Sequence, residues 1–201
     1  DALGADIYFF SLYKVYGPHL GVMVMREAVN KTLPSQAHFF NVGSATSRFT
    51  PAGPDHAQIA SVNGVIDYFE AIDAHHFSDS EKLLSSKTDR VGALLHNAEI
   101  ENLEPLLEFL RLRKGINLIG KTVTQNRAPT LSFTVDGTDP ADVAAKLAEQ
   151  RIGIANGNCY AYRLMEALGI PPDQGVVRLS FVHYTSKAEV IRLIDALKSV
   201  I

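Results

Sequence analysis

Two incompatible rhythms alternate along the chain. Short apolar runs, Ile7–Phe10 and Gly21–Met25, are followed by stretches whose apolar residues recur three and four positions apart. The short runs are too brief for a stable helix and rich in β-favouring side chains, so they read as strands. Ile7–Phe10 is apolar throughout, the pattern of a strand buried on both faces as inside a parallel sheet. Gly17-Pro18 is a turn signal, which makes the two runs neighbouring strands joined by Ser11–Leu20. Residues 31–56, rich in Pro, Gly, Ser and Asn, show no period and read as a long irregular loop.

Ile59, Val62, Ile66 and Phe69 place one apolar face on a helix over Ala57–Phe77. Further helical patterns cover Glu81–Ala98 and, more weakly, Leu103–Leu112. The last third changes character. Leu131, Phe133 and Val135 alternate with Ser132 and Thr134 as in a half-buried strand. Asp139-Pro140 opens a helix, with Asp as N-cap and Pro in the first turn. Gly153–Ala155 is predicted as a short strand, Tyr160–Leu168 as a helix stopped by Gly169, and Val176–Phe181 as a strand. Ser186-Lys187-Ala188-Glu189 is a capping box. It opens a final helix striped by Val190, Leu193, Ile194, Leu197 and Ile201. Strands alternating with helices define an α/β chain. A boundary near residues 96–120 separates a part over 1–95, with too little sheet to stand alone, from one over 96–201.

With 46% hydrophobic and 20% charged residues the 201-residue chain is neither disordered nor fibrous. A net charge of −3 provides no global basic field for nucleic acid. The apolar runs are too short to span a membrane. The single cysteine, Cys159, excludes an intrachain disulfide and fits a reducing, cytoplasmic location. The chain opens at Asp1 without an initiator Met, so it is expected to be the C-terminal part of a longer protein.

Two side chains carry the chemistry. Lys14 follows the first strand within a few residues. An amine at the mouth of an apolar sheet is partly desolvated; this disfavours the ammonium and makes the lysine a better nucleophile, as Schiff-base formation requires. Ser11, three residues earlier, offers a hydroxyl to a phosphate. On the last strand, period two turns Arg178 away from the face that carries Leu179. There its guanidinium can take a carboxylate through two parallel hydrogen bonds. Arg127 is a further candidate; His56 and His183 could titrate near neutrality but read as loop histidines.

The segment Ser11-x-x-Lys14-x-x-Gly17-Pro18, preceded by Leu3-Gly4-Ala5-Asp6 and followed by Gly21-Val22, resembles the cofactor-lysine segment of the class V aminotransferases. These are fold type I pyridoxal 5'-phosphate (PLP) enzymes and include the cysteine desulfurases. Gly53-Pro54-Asp55-His56 resembles the family's phosphate-side loop. Val177-Arg178-Leu179-Ser180-Phe181-Val182-His183-Tyr184-Thr185 resembles its C-terminal strand and the start of the helix beyond. The strongest likeness is to a cysteine-desulfurase-like subgroup.

The resemblance implies a fold type I PLP-dependent transferase, with the C-terminal part of its large domain over 1–95 and a small C-terminal α/β domain over 96–201. It implies PLP as cofactor, held by Lys14 as a Schiff base. Ser11 and Tyr13, the latter in place of the relatives' histidine, are then phosphate-binding hydroxyls. Ala52-Gly53 replaces the relatives' Gly-Thr, a pair contributed across a homodimer interface, so the backbone at Gly53 serves there. The substrate is an amino acid whose α-carboxylate Arg178 holds. The family's aspartate for the pyridine nitrogen and its ring-stacking group lie upstream of Asp1. The N-terminal remainder of the same protein is therefore an expected partner, and the 201 residues alone are expected to bind PLP poorly.

Cys159 lies in Ala155-Asn156-Gly157-Asn158-Cys159-Tyr160-Ala161, which resembles the family's catalytic loop. Aligned on Gly157, the nucleophile position of the sulfur-mobilising branch falls on Tyr160. Ala155 stands where some desulfurases carry an arginine, and Asn158-Cys159 where that branch has two histidines. A helix beginning just after Cys159 would favour a thiolate. Three readings stay open: an aminotransferase or lyase acting through Lys14 and Arg178, a cysteine desulfurase using Cys159, and a catalytically silent domain kept for dimerisation or binding.

Overall fold

The structure, a computed structural model, describes residues 3–50, 53–78 and 82–201. It divides into two units, Asp1–Val91 and Gly92–Ile201. In the first, β1 (Ile7–Ser11) and β2 (Gly21–Met25) pair antiparallel, Ile7 opposite Met25 and Ser11 opposite Gly21. The expectation of a strand buried on both faces is not met: Tyr8 and Phe9 are 47% and 68% exposed. Among the described residues the two strands pair only with each other, so no further strand covers them. The connection begins with a 3-10 turn over Leu12–Val15, closed by Tyr16 at φ 68°. Gly17 N–H donates to the Leu12 carbonyl at 2.8 Å. A Cβ at Gly17 would stand 2.9 Å from Leu12 Cβ, so only glycine lets the chain double back here.

After α1 (Glu27–Thr32) the irregular loop predicted from composition is pinned at its base. Gln36 N–H donates to the Arg48 carbonyl at 2.7 Å. Arg48 itself donates to the Leu33 carbonyl and to Asn30 Oδ1. The helix predicted over 57–77 is two helices, α2 (His56–Ser61) and α3 (Asn63–His76), separated at Val62. Asp55 caps α2 by accepting from Gln58 N–H at 3.0 Å. The apolar stripe read for this stretch is not a buried one, since Ile59 and Ile66 are both exposed.

A single helix, α4 (Leu84–Leu112), replaces the two predicted over 81–112; Glu81 lies outside the described residues. Pro105 sits inside it. A proline removes one helical hydrogen bond, but Leu103, Leu106, Leu107 and Leu110 are completely buried. That run of burial carries the helix through. Within the first unit Arg90 of α4 forks onto the buried Asp73 of α3, its Nη2 donating to Oδ2 at 2.7 Å. The same guanidinium lies 4.3 Å from the Phe77 ring centre.

The second unit is a four-stranded antiparallel sheet with strand order β3-β4-β6-β5. Its strands are β3 (Ile116–Ile119), β4 (Thr130–Val135), β5 (Ala155–Gly157) and β6 (Val176–Ser180). Leu131 and Phe133 of β4, with Val177 and Leu179 of β6, form one core with the leucines of α4. Two more helices join that core, α5 (Pro140–Glu149) and α7 (Lys187–Val200), through Val143, Leu147, Val190 and Leu197. Asp139 caps α5, and the Ser186–Glu189 capping box on α7 forms both of its reciprocal bonds. β5 begins two residues later than predicted, because its pairing with β6 puts Ala155 opposite Arg178. β3 has no counterpart in the sequence reading. A short helix, α6 (Tyr162–Ala167), follows the loop that contains Cys159. Among the described residues no helix is long and apolar enough to cross a membrane.

Candidate active site

Ser11 ends β1 and Lys14 lies in the turn that follows. Both line a cavity of about 990 Å³, together with Tyr8, Phe10, Gln36 and Phe49. Neither the Lys14 amine nor the Ser11 hydroxyl has a hydrogen-bond or ion-pair partner among the described residues; Lys14 Nζ lies 5.8 Å from the Tyr13 ring centre. Lys14 is exposed among the described residues.

Tyr13 is not part of the cavity wall and stacks on His19, with ring centres 4.9 Å apart. Gly53 is exposed, and a Cβ added there would meet nothing within 4 Å, so no close approach occurs at this position among the described residues. Ala52 lies outside them. Gln36 and Phe49 were not singled out from the sequence. Their signal is Arg48, whose hydrogen bonds hold the loop they lie on, but an arginine within an aperiodic loop does not declare what it ties down.

In the second unit Arg178 sits in the middle of β6, on the sheet face opposite the core, as the alternation predicts. It is half-buried, its guanidinium has no carboxylate partner among the described residues, and its Nε is buried without a hydrogen bond. Ser132 of β4 lies directly across from it on one side and Ala155 of β5 on the other. Arg127 differs: its nitrogens donate to the carbonyls of Lys121, Ala128 and Thr130, which makes it a brace for the loop before β4. Burial pushes its pKa down from the usual arginine range. His183 stands edge-on to Tyr184, with ring centres 5.1 Å apart, and burial lowers its pKa. His56 is the exposed first residue of α2.

Cys159 is half-buried, and its thiol donates to the Gly157 carbonyl at 3.7 Å. Cys159 and Tyr160 both adopt left-handed backbone conformations, at φ 50° and 64°. The tyrosine side chain is fully exposed. The turn is held by Asn158, whose Oδ1 accepts from Tyr160 N–H at 3.1 Å and whose Nδ2 donates to the Pro172 carbonyl at 3.3 Å. α6 begins only at Tyr162, two residues later than predicted.

Lys14 and Ser11 thus line one cavity at the end of β1, and Arg178 lies unpartnered on the face of the antiparallel sheet away from its core; the α/β, fold type I class follows from the likeness of the whole chain to known proteins. The chain belongs to the aminotransferase class-V family, whose model matches residues 1–193. It is 32% identical to an aminotransferase-like protein of Gibberella zeae, covering 99% of this chain and 47% of that protein. It is 30% identical to a probable cysteine desulfurase of Pseudomonas putida, covering 97% of this chain and 45% of the relative. The apo structure of the cysteine desulfurase from Thermococcus onnurineus NA1 superposes with a TM-score of 0.78 at 25% identity, over 98% of this chain and 47% of that one. The chain thus spans about half the length of the relatives it matches.

Proposed function

We propose that this chain is the lysine-bearing portion of a PLP-dependent enzyme of the class V, cysteine desulfurase-like type, acting on an amino acid as an aminotransferase or lyase. The observation that carries this reading is the unpartnered Lys14 amine sharing one cavity with the unpartnered Ser11 hydroxyl, in a segment matched to the family. These residues fit the cofactor: a primary amine for its aldehyde and a hydroxyl for its phosphate. When bound, PLP supplies the aldehyde and an electron-accepting ring. Lys14 Nζ holds the cofactor and, once free, takes and returns the proton at the substrate's Cα. Ser11 would donate its hydroxyl to the phosphate; Tyr13, which stacks on His19 outside the cavity wall, and the exposed Gly53 lend that role no support in this chain. Arg178 binds the substrate's α-carboxylate and fixes its orientation.

Residues of the same protein outside this chain complete the cofactor site, and the working unit is a cytoplasmic homodimer. The desulfurase alternative with Cys159 as nucleophile has less support. No cationic side chain bonds to the thiol among the described residues, and its hydrogen bond runs to a neutral carbonyl.

The test is chemical trapping. Full-length protein is incubated with PLP, reduced with borohydride and digested. The pyridoxyl label is expected on Lys14, and Lys14→Ala should abolish both the label and the associated absorption band. Label spread over surface lysines, or an unchanged band in the variant, overturns the reading in favour of a silent domain. Sulfide release from cysteine that Cys159→Ser eliminates would instead establish the desulfurase.

A further inference from the structure

We propose that the Ser132 hydroxyl and the Arg178 guanidinium together form the receptor for the substrate's carboxylate. The inference rests on the reading of Arg178 given above and adds a residue to it. Ser132 faces Arg178 directly across the β4–β6 pair. Directly opposed residues of an antiparallel pair project from the same face with Cβ atoms roughly 5 Å apart. That face is the one opposite the core, because Leu131 and Phe133 on either side of Ser132 are completely buried, as are Val177 and Leu179 on either side of Arg178 to within 2%.

Three observations mark the pair as built for a ligand. First, both side chains are half-buried and neither has a partner among the described residues. Arg178 Nε in particular is buried with nothing to donate to, a condition that native structures relieve with a ligand or water. Second, the neighbouring hydroxyls on this face do not compete: Thr130 Oγ1 and Ser180 Oγ lie 3.3 Å apart and bond to each other. Third, on the other flank of Arg178 the opposed residue is Ala155, whose side chain brings neither a charge nor a hydrogen-bonding group to satisfy the guanidinium. A carboxylate taken by the guanidinium through two parallel bonds keeps spare lone pairs on each oxygen. Ser132 Oγ–H is placed to donate to one of them.

The experiment measures affinity for a bare carboxylate, so it does not depend on turnover. Full-length protein is titrated with propionate by saturation-transfer NMR, with propionamide as the uncharged control and circular dichroism melts to confirm folding. A hydrogen bond to a charged group is lost in Ser132→Ala, so propionate affinity should fall by about tenfold or more. Ser132→Thr, which keeps the hydroxyl, should restore it. Arg178→Ala should abolish propionate binding, and propionamide should not distinguish the variants. If Arg178→Ala loses binding while Ser132→Ala keeps it, the serine proposal falls and the role of Arg178 stands. If Ser132→Thr is as weak as Ser132→Ala, the hydroxyl is not the cause and the proposal again falls. If Arg178→Ala binds as well as the parent protein, or the parent protein shows no binding, both fall.

Discussion

Asp73 and Glu99 show how differently a carboxylate behaves depending on what surrounds it. Asp73 is buried with both oxygens engaged by Arg90. Replacing one member of such a pair strands the other charge, so Asp73→Asn should cost about 3 kcal/mol in urea unfolding. A loss under about 1 kcal/mol would mean the clamp between α3 and α4 is incidental. Glu99 is half-buried, and desolvation raises its pKa above the usual glutamate value while nearby His96 opposes the shift. A carboxyl whose folded pKa is raised favours folding while protonated. That contribution is whole below the ordinary glutamate value and is lost as pH rises through the folded one. Glu99→Gln should therefore melt higher than the parent protein at pH 7, with the gap closing as the pH falls below about 4; a constant gap would refute the assignment to ionisation. Both effects depend on burial, which the sequence did not reveal. Arg178 was legible because strand alternation dictates its face. Ser132 was not, since its significance arises only when register sets it opposite Arg178.

Helix ends were the most legible elements, because their chemistry is local. Ser186 N–H and Glu189 Oε2 meet at 2.8 Å, and Glu189 N–H returns to Ser186 Oγ at 3.2 Å, as the four-residue motif dictates. Ser186→Ala should lower stability by about 1 kcal/mol, read as a shifted urea midpoint with unchanged slope. The Ser186 bonds hold the Glu189 pKa below its usual value. Their stabilising effect is present above the ordinary glutamate pKa and is lost as pH falls through the folded one; alanine keeps the N–H bond and removes the one from the hydroxyl to Glu189 Oε2, so only that part of the Ser186→Ala penalty should shrink in acid. Strands were harder. β3 was missed because Ile116–Ile119 is four residues with no alternation to mark a face, and it becomes a strand only by pairing with β4. The start of β5 was misplaced for the same reason. Close packing between strands was also invisible. Gly175, at φ 68°, would drive a Cβ to 2.0 Å from the Gly157 carbonyl carbon. Gly175→Ala should destabilise the fold by about 2 kcal/mol or more and disorder the Cys159 loop, seen as faster labelling of the thiol. An unperturbed melt with unchanged labelling would show that the backbone yields there at no cost.

Stability should be distributed unevenly over the whole chain, for a reason written in its burial. The core of buried apolar residues lies entirely within the second unit, running from Leu103 to Leu197. Among the described residues of the first unit, the fully covered apolar side chains are Leu12 and Val91, while Tyr8, Phe9, Phe39 and Phe40 stand exposed. Apolar burial is the main favourable term in folding. Sequence alone could not show this imbalance, because Ile7–Phe10 has the composition of a buried strand whether or not anything covers it. Local opening free energies follow local burial, so the two units should respond separately in hydrogen exchange on the 201-residue chain. Amides of β4, β6 and α7 should exchange on the order of a hundredfold more slowly than those of β1 and β2, a gap set by the difference in opening free energy. Mild urea should erase the β1–β2 protection first. Equal protection in both units, lost together at one denaturant concentration, would mean that the strand pair is as firmly held as the core.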